Sequence, residues 1–325
     1  MTTIRPATKA GTGWYEARQA LLLKELQSYL AAVPESLNEV ALPIPGARVI
    51  IAPHAGYEHS GPCAAWAYKA LDLSRVKRVI VLGPSHTYFL EGCAATTFEA
   101  YSTPFGDLEV DQHLARELED VLAMEKMPRD REIKEHSLEM HMPYLHLRCQ
   151  ETFDSPDKFP KIIPVLVGSN NRDEEKHIGR ALLPYLKDTE NAFIVSSDFC
   201  HWGDHFNYLV YSPTKSPSDL THLRKEDPKP NGPPIHETIR AIDEAAMEAV
   251  ESGSHDEFLN SLKQTRNTVC GRHPIGVTMA ALELLRKETE FQDKGRFSIT
   301  KYDRSNLVEF PDDFSVSYVS AYAVV

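Results

Sequence analysis

Arg78-Val79-Ile80-Val81-Leu82-Gly83-Pro84-Ser85-His86 is the stretch whose reading decides the fold. Four consecutive large apolar residues, three of them β-branched, run into a Gly-Pro turn that ends on a histidine. A run apolar on both faces predicts a strand covered by helices on each side, and therefore a parallel sheet. Gly83 and Pro84 stop the strand and place His86 just beyond its carboxyl end. Open α/β sheets build their sites there.

The same design recurs. Arg48-Val49-Ile50-Ile51-Ala52-Pro53-His54-Ala55-Gly56 is an apolar run, a proline, then a histidine and a glycine. Phe193 to His201 is a third apolar run, ending on Ser196, Ser197, Asp198 and a further histidine. One strand-end histidine is usually a turn residue with its hydrogen bonds satisfied. Three delivered to the same end of one sheet predict a convergent cluster, of the kind that forms a metal or acid/base site.

The 325 residues suffice for a substantial core. Their 42% hydrophobic and 25% charged content is ordinary for a globular protein. Basic residues number 35 against 47 acidic, for a formal charge of −12. That argues against a general nucleic-acid binder, which needs a basic face for phosphates. No stretch approaches the roughly 18 apolar residues of a membrane span, and residues 1–13 lack the apolar core of a signal peptide. The five cysteines (63, 93, 149, 200 and 270) are scattered, odd in number and without a CxxC pair. Reduced thiols in the cytosol or nucleus are expected.

Along the chain, 14–32 reads as an amphipathic helix with Leu22, Leu26, Tyr29 and Leu30 on one stripe. Trp14 before it is either a hydrophobic staple or a pocket wall. Ser60-Gly61-Pro62 opens a second helix, so strand, helix and strand make a right-handed βαβ unit. A hairpin is expected within 93–105, a helix over 111–124, a strand over 161–168 with Pro164 suggesting an edge or bulge, and a helix over 173–186. From 212 to 234 six prolines sit among charges, which predicts a surface loop that interrupts the single domain, 1–325, without dividing it. Helices follow over 234–252, stopped by Gly253, from a Ser254 cap, and over 277–287. Residues 315–325 close the sheet. The fold class is α/β, with a mixed, largely parallel central sheet flanked by helices.

The candidate site groups are His54, His86, His201, Asp198 and Cys270, with Glu135, His136, Glu139, His141, Arg272 and His273 in reserve. Two imidazoles plus a thiolate suit zinc, copper or iron, whereas calcium and magnesium prefer oxygen. Cys270 ahead of a helix N-terminus would have its thiolate favoured by the helix dipole, or it is an inert buried residue. Asp198, three residues before His201, either orients a neighbour or forms an ordinary turn. Arg272 could hold an anionic substrate, and His273 could serve Cys270 as a base. His136 and His141 do not have the His-Glu-x-x-His spacing that puts two imidazoles on one helix face. GxSxG, Walker A and GxGxxG motifs are absent, so hydrolase, NTPase and dinucleotide dehydrogenase readings lack support.

IAPHAGY (51–57), LGPSH (82–86), EHSLEMHMPY (135–144), IIPVLVG (162–168), VSSDFCHWG (195–203), TVCGRHPIG (268–276) and VSYVSAY (316–322) together resemble the Memo family, named for mediating ErbB2-driven cell motility. The motifs span nearly the whole chain. The resemblance implies a fold like that of class III extradiol dioxygenases, which are non-haem iron enzymes. It implies one metal ion, copper or iron with zinc as a further option, on His54, His86 and Cys270, with His201 and Asp198 in the same pocket, where they are the expected catalytic groups. A cysteine where those dioxygenases carry a carboxylate speaks against catechol ring cleavage and suits copper(I) as well as iron. Trp14, His141 and Arg272 are the expected substrate or peptide contacts. Two functions follow: a cytosolic redox protein acting on dioxygen or a small molecule, or a signalling adaptor holding a phosphotyrosine-type peptide.

Overall fold

The computed structural model describes residues 2–288, 292 and 294–325. A nine-stranded sheet runs through it. Its strands are β1 (Ala47–Ala52), β2 (Arg78–Pro84), β3 (Cys93–Ala95), β4 (Glu125–Lys126), β5 (Lys161–Val167), β6 (Asn191–Ser196), β7 (Asp198–Trp202), β8 (Phe297–Arg304) and β9 (Ser315–Val324). The order is β7-β9-β1-β6-β2-β5-β3-β4, with β8 along the free side of β9. The four central strands β1, β6, β2 and β5 are parallel. Antiparallel pairing begins at β9 on one side and at β3 on the other. Every residue of β1 and β6 is buried, which is why their apolar stretches, 49–52 and 192–195, have no polar alternation.

Eight helices carry the rest of the argument: α1 (Gln19–Ala32), α2 (Tyr57–Ala70), α3 (Gln112–Val121), α4 (Met142–Thr152), α5 (Arg172–Lys187), α6 (Ile235–Ser252), α7 (His255–Thr265) and α8 (Arg272–Leu285). Leu22, Leu26 and Leu30 form the buried stripe of α1, as the pattern predicts. Gly253 ends α6 in the left-handed region (φ 74°), and the Ser254 hydroxyl accepts from Glu257 N at the start of α7. The hairpin lies later than the sequence reading, pairing Ala100–Thr103 with Gly106–Glu109, because Cys93–Ala95 joins the main sheet against residues 165–167.

Several boundaries differ from the sequence reading for identifiable reasons. α1 starts at Gln19, leaving Trp14 in the preceding segment. α2 starts at Tyr57, with Pro62 inside it, because Gly56 O already accepts from Ser60 N; the Tyr57 N–H, which has no helical partner, donates to Trp14 O. α8 starts at Arg272. Pro274 suits a first helical turn, whose N–H groups have no intrahelical partner, so it does not delay the start. Pro164 is tolerated in an interior strand. Ile162 O accepts from Asp111 N, and β3 pairs only with residues 165–167. Pro164 turns its ring nitrogen to the same side as Ile162, where β3 has not begun. His201 does not end a parallel strand: the chain turns after Ser196, and His201 lies within β7, opposite Val316.

The loop from 212 to 234 is irregular apart from the short pair Val210–Tyr211 with Thr221–His222. It packs on a small cluster of its own that includes Trp202, Tyr211, Ile235 and Ile239. No helix among the described residues is long and apolar enough to cross a membrane.

Candidate metal centre

The carboxyl ends of β1 and β2 deliver His54 and His86 to one edge of the sheet, each two residues past its strand. A third imidazole, His136, arrives from the 135–138 segment. Gly83 makes that approach possible: a side chain there would stand 2.7 Å from Ser137 Oγ and 2.9 Å from Leu138 Cδ2. Ser137 Oγ then donates to Pro84 O at 2.7 Å and fixes the segment to the strand end. Ring centroids lie 5.2 Å apart for His54–His86, 5.3 Å for His54–His136 and 4.3 Å for His86–His136. One nitrogen from each of the three falls within 4.8 Å of the others, so His54, His86 and His136 could hold a metal ion.

Hydrogen bonding sets the tautomers. Ser196 Oγ donates its one hydrogen to Ser137 O at 2.7 Å. It must therefore accept from His54 Nδ1, 2.6 Å away, which leaves His54 Nε2 a bare lone pair. Glu135 does the same for His86: Oε1 takes Nδ1–H at 3.0 Å and Oε2 takes the backbone N–H at 2.7 Å. Backbone N–H groups of His136 and Ser137 also donate to Oε1, at 2.9 and 3.0 Å. Burial pushes the Glu135 carboxyl up, but the His86 hydrogen bond and charge, with His136 and Ser137, outweigh it and hold it at about 2. A carboxylate behind a histidine whose other nitrogen is bare is a usual support for a metal ligand. Burial, reinforced by the neighbouring imidazoles, holds His54 well below the ordinary histidine range; burial and His86 lower His136 to about 3, against the pull of Glu135. Neutral imidazoles are the form that ligates.

Cys270 is not one of those three, yet its Sγ stands 3.2 Å from His54 Nε2. Asp198 N donates to the sulfur at 3.3 Å. Burial, then the charge of Asp198, pushes the thiol well above its usual value. The expected helix-dipole activation is thus outweighed by desolvation, and the metal-free side chain is a thiol. His273 is not its base: its Nδ1 bonds Glu175 Oε1 at 2.7 Å.

The cleft beside this cluster has a volume of about 470 Å³ and is lined by Thr12, Gly13, Trp14, His54, His59, His86, His136, Asp198, His201 and Val316, among others. Trp14 is one of its walls and not a staple, with its ring centroid 4.5 Å from that of His136. The buried Glu139 carboxylate anchors the segment before it, binding Arg5, Lys9 N and Tyr15 OH at 2.6, 2.7 and 2.8 Å. His201 Nδ1 faces two carbonyls, Phe199 O at 2.9 Å and Thr268 O at 3.2 Å, so Nδ1 carries the proton and Nε2 is the acceptor. Asp198 does not set that tautomer. It accepts from His54 N at 2.8 Å, and burial raises its carboxyl.

Two expected contacts fall elsewhere. His141 is fully buried behind the cleft with Nδ1 on Tyr68 OH at 2.7 Å. Arg272 is exposed and lines a different groove. The strand-end rule misses His136 and His59; the sequence signal for His136 is the density of ionisable groups at 135–141.

A family model described as "Memo-like protein" matches residues 5–322. Among curated relatives, "Protein MEMO1" of Xenopus laevis is 38% identical, covering 99% of this chain and 97% of its own length. The MEMO1 family protein of Schizosaccharomyces pombe is 38% identical over 98% of this chain and 99% of its own length. "Protein MEMO1" of Homo sapiens is 37% identical, with shares of 99% and 97%. A solved structure of an uncharacterized protein from Escherichia coli K12 superposes with a TM-score of 0.47 at 14% identity, over 84% of this chain and 98% of that one.

Proposed function

The chain belongs to the Memo-like protein family, and from that premise we propose that it is a cytosolic, transition-metal-dependent redox protein acting on dioxygen or a small molecule in the His54 cleft. The observation that carries this reading is the pair of bare Nε2 atoms. His54 and His86 each have Nδ1–H tied to a fixed acceptor, which leaves the opposite nitrogen bare, and one nitrogen of each ring lies within 4.8 Å of the other. Cys270 reaches the pair beside His54 and His136 reaches it beside His86. A mixed imidazole and thiolate set suits copper or iron better than a hard cation, with zinc as the redox-silent option.

Such a metal, when bound, supplies one-electron chemistry or Lewis acidity. The chain supplies the rest. His201 presents a bare Nε2 to the cleft and can take a proton from a bound substrate, while its Nδ1–H stays with the Phe199 and Thr268 carbonyls. Asp198 holds the His54 backbone in place. Trp14 closes one side, its ring set against that of His136. All five cysteines are free thiols, which supports a reducing compartment, cytosol or nucleus.

An adaptor role has one observation in its favour. An aromatic row of His201, Phe206, His205 and Phe314 leads outward from the cleft, with Phe314 49% exposed, and would suit a peptide. Against it, no arginine or lysine is among the residues that line the cleft, and the cation beside its wall, Lys9, sits over the Trp14 ring at 5.5 Å. The deciding experiment is elemental analysis of protein purified without chelator or added metal, beside His54→Ala and His86→Ala. The redox reading expects about one copper or iron per chain, lost in both variants, and metal-dependent dioxygen consumption or substrate oxidation. Unchanged metal in both variants, or phosphopeptide affinity indifferent to metal, overturns it.

A further inference from the structure

A second groove, of about 520 Å³, lies between the start of α5, the end of α7 and the segment leading into α8. Its lining is Asn170, Asn171, Arg172, Leu259, Leu262, Lys263, Arg266, Asn267 and Arg272, and it shares no residue with the metal cleft. On a chain of formal charge −12, these four cations and no acid form a local reversal of sign. Arg172 is already neutralised, bonding Asp256 through Nε and Nη2 at 2.6 and 2.8 Å. Lys263, Arg266 and Arg272 have no side-chain partner among the described residues. Arg266 is the left-handed cap of α7 (φ 53°), its backbone N–H donating to Leu262 O. The start of α5 contributes nothing to an anion, since Asn171 already caps Asp173 N and Glu174 N.

Two buried asparagines complete the lining. Asn170 is 8% exposed and Asn267 is 4% exposed, and Oδ1 of each has no partner. Their amide orientation is set by the other atom. Asn170 Nδ2 donates to Gly168 O at 2.9 Å, and Asn267 Nδ2 donates to Asp243 Oδ1 at 3.1 Å. What remains beside the cations is therefore a pair of unanswered acceptors, which a bare anion would leave unanswered.

We propose that this groove binds a phosphomonoester that also carries hydroxyl groups, such as a sugar phosphate. Lys263, Arg266 and Arg272 hold the phosphate, the hydroxyls donate to Asn170 and Asn267, and Leu259 and Leu262 floor the carbon skeleton. The site is independent of the metal.

The test is calorimetric titration of the full-length protein with ribose 5-phosphate and, separately, inorganic phosphate. The expected order is ribose 5-phosphate tighter than phosphate by about tenfold or more, both weakening as salt rises. Arg272→Gln with Lys263→Gln should weaken ribose 5-phosphate by about tenfold or more. Both side chains are exposed, so the fold should survive, and circular dichroism checks it. His54→Ala, which removes the metal cleft, should bind ribose 5-phosphate as the parent does. Equal affinity for the two ligands, parent-like binding by the double variant, or loss of binding in His54→Ala each overturn the proposal.

Discussion

Cys270 Sγ and His54 Nε2 lie 3.2 Å apart, and the His54 nitrogen is the bare one. In a metal-free chain that contact is a thiol facing a lone pair. Around a shared metal the same two atoms would both be ligands, so the distance suits either a hydrogen-bonded Cys-His pair or a metal edge. The two make opposite forecasts. A nucleophile reacts with iodoacetamide whether or not metal is present. A ligand is shielded by metal and alkylates faster after chelation, and Cys270→Ser is metal-poor because a hard hydroxyl replaces a soft sulfur. Ligand behaviour is the expected outcome. Equal alkylation rates in loaded and stripped protein, measured by mass spectrometry, would decide for the nucleophile.

Glu135 supports two elements at once: His86 through its ring and backbone, and its own loop through the N–H groups of His136 and Ser137. Glu135→Gln places an amide NH₂ among donors. The expected cost is about 2–4 kcal/mol of stability, from lost charge-assisted bonds and a buried mismatch. Metal affinity should fall roughly 10- to 100-fold with His86 no longer held. Denaturant unfolding and metal competition with a chromophoric chelator measure the two; a variant with parent-like affinity would show that Glu135 serves only the loop.

How much of this is legible in the sequence depends on the range of the contacts. β2 and β1 are legible because burial on both faces leaves an apolar run in the chain itself, and His54 and His86 are legible because Pro53 and Pro84 mark where those runs stop. His136 is legible only as one of several ionisable groups in the run 135–141. Its place in the site comes from long-range contacts: Glu135 turns back to His86, 49 residues away, while His141 turns into the core against Tyr68. Nothing local encodes that arrangement; it depends on Gly83 leaving room for Ser137. Asp198 likewise reads as a partner of His201 by proximity in sequence, but β7 points its carboxylate at His54 N across the sheet end. Arg272 sits two residues from Cys270, yet the helical start of α8 sends it to the other groove.

Trp14 over His136 offers an optical readout of the site. Of the three tryptophans only Trp14 lines the cleft, while Trp202 is fully buried. Copper(II) bound beside His136 should quench Trp14 emission, and Trp14→Phe should lose most of that quenching while retaining metal. Tyr15→Phe removes one of the bonds to Glu139 that seat the segment and should cost about 1 kcal/mol. Quenching that persists in Trp14→Phe would place the metal elsewhere.

Asp243 gives a pH signature away from the metal. Its carboxylate accepts from Cys200 N and Asn267 Nδ2, both at 3.1 Å, and from Tyr302 OH at 2.9 Å. Burial raises its pKa all the same, against the pull of those hydrogen bonds. The folded chain therefore holds this proton to higher pH than the unfolded chain, whose aspartate titrates near about 3.9. The contribution to stability is fully present below that value and declines as pH rises through the raised folded pKa. Asp243→Asn cannot ionise and can keep an acceptor toward Cys200 and Asn267, so it escapes the decline. Urea unfolding from pH 4 to 7.5 should show the parent losing ground to the variant as pH rises, with a slope of at most about 1.4 kcal/mol per pH step of one. Stability curves that stay parallel across that window would mean that the buried carboxylate ionises as readily in the folded chain as in the unfolded one.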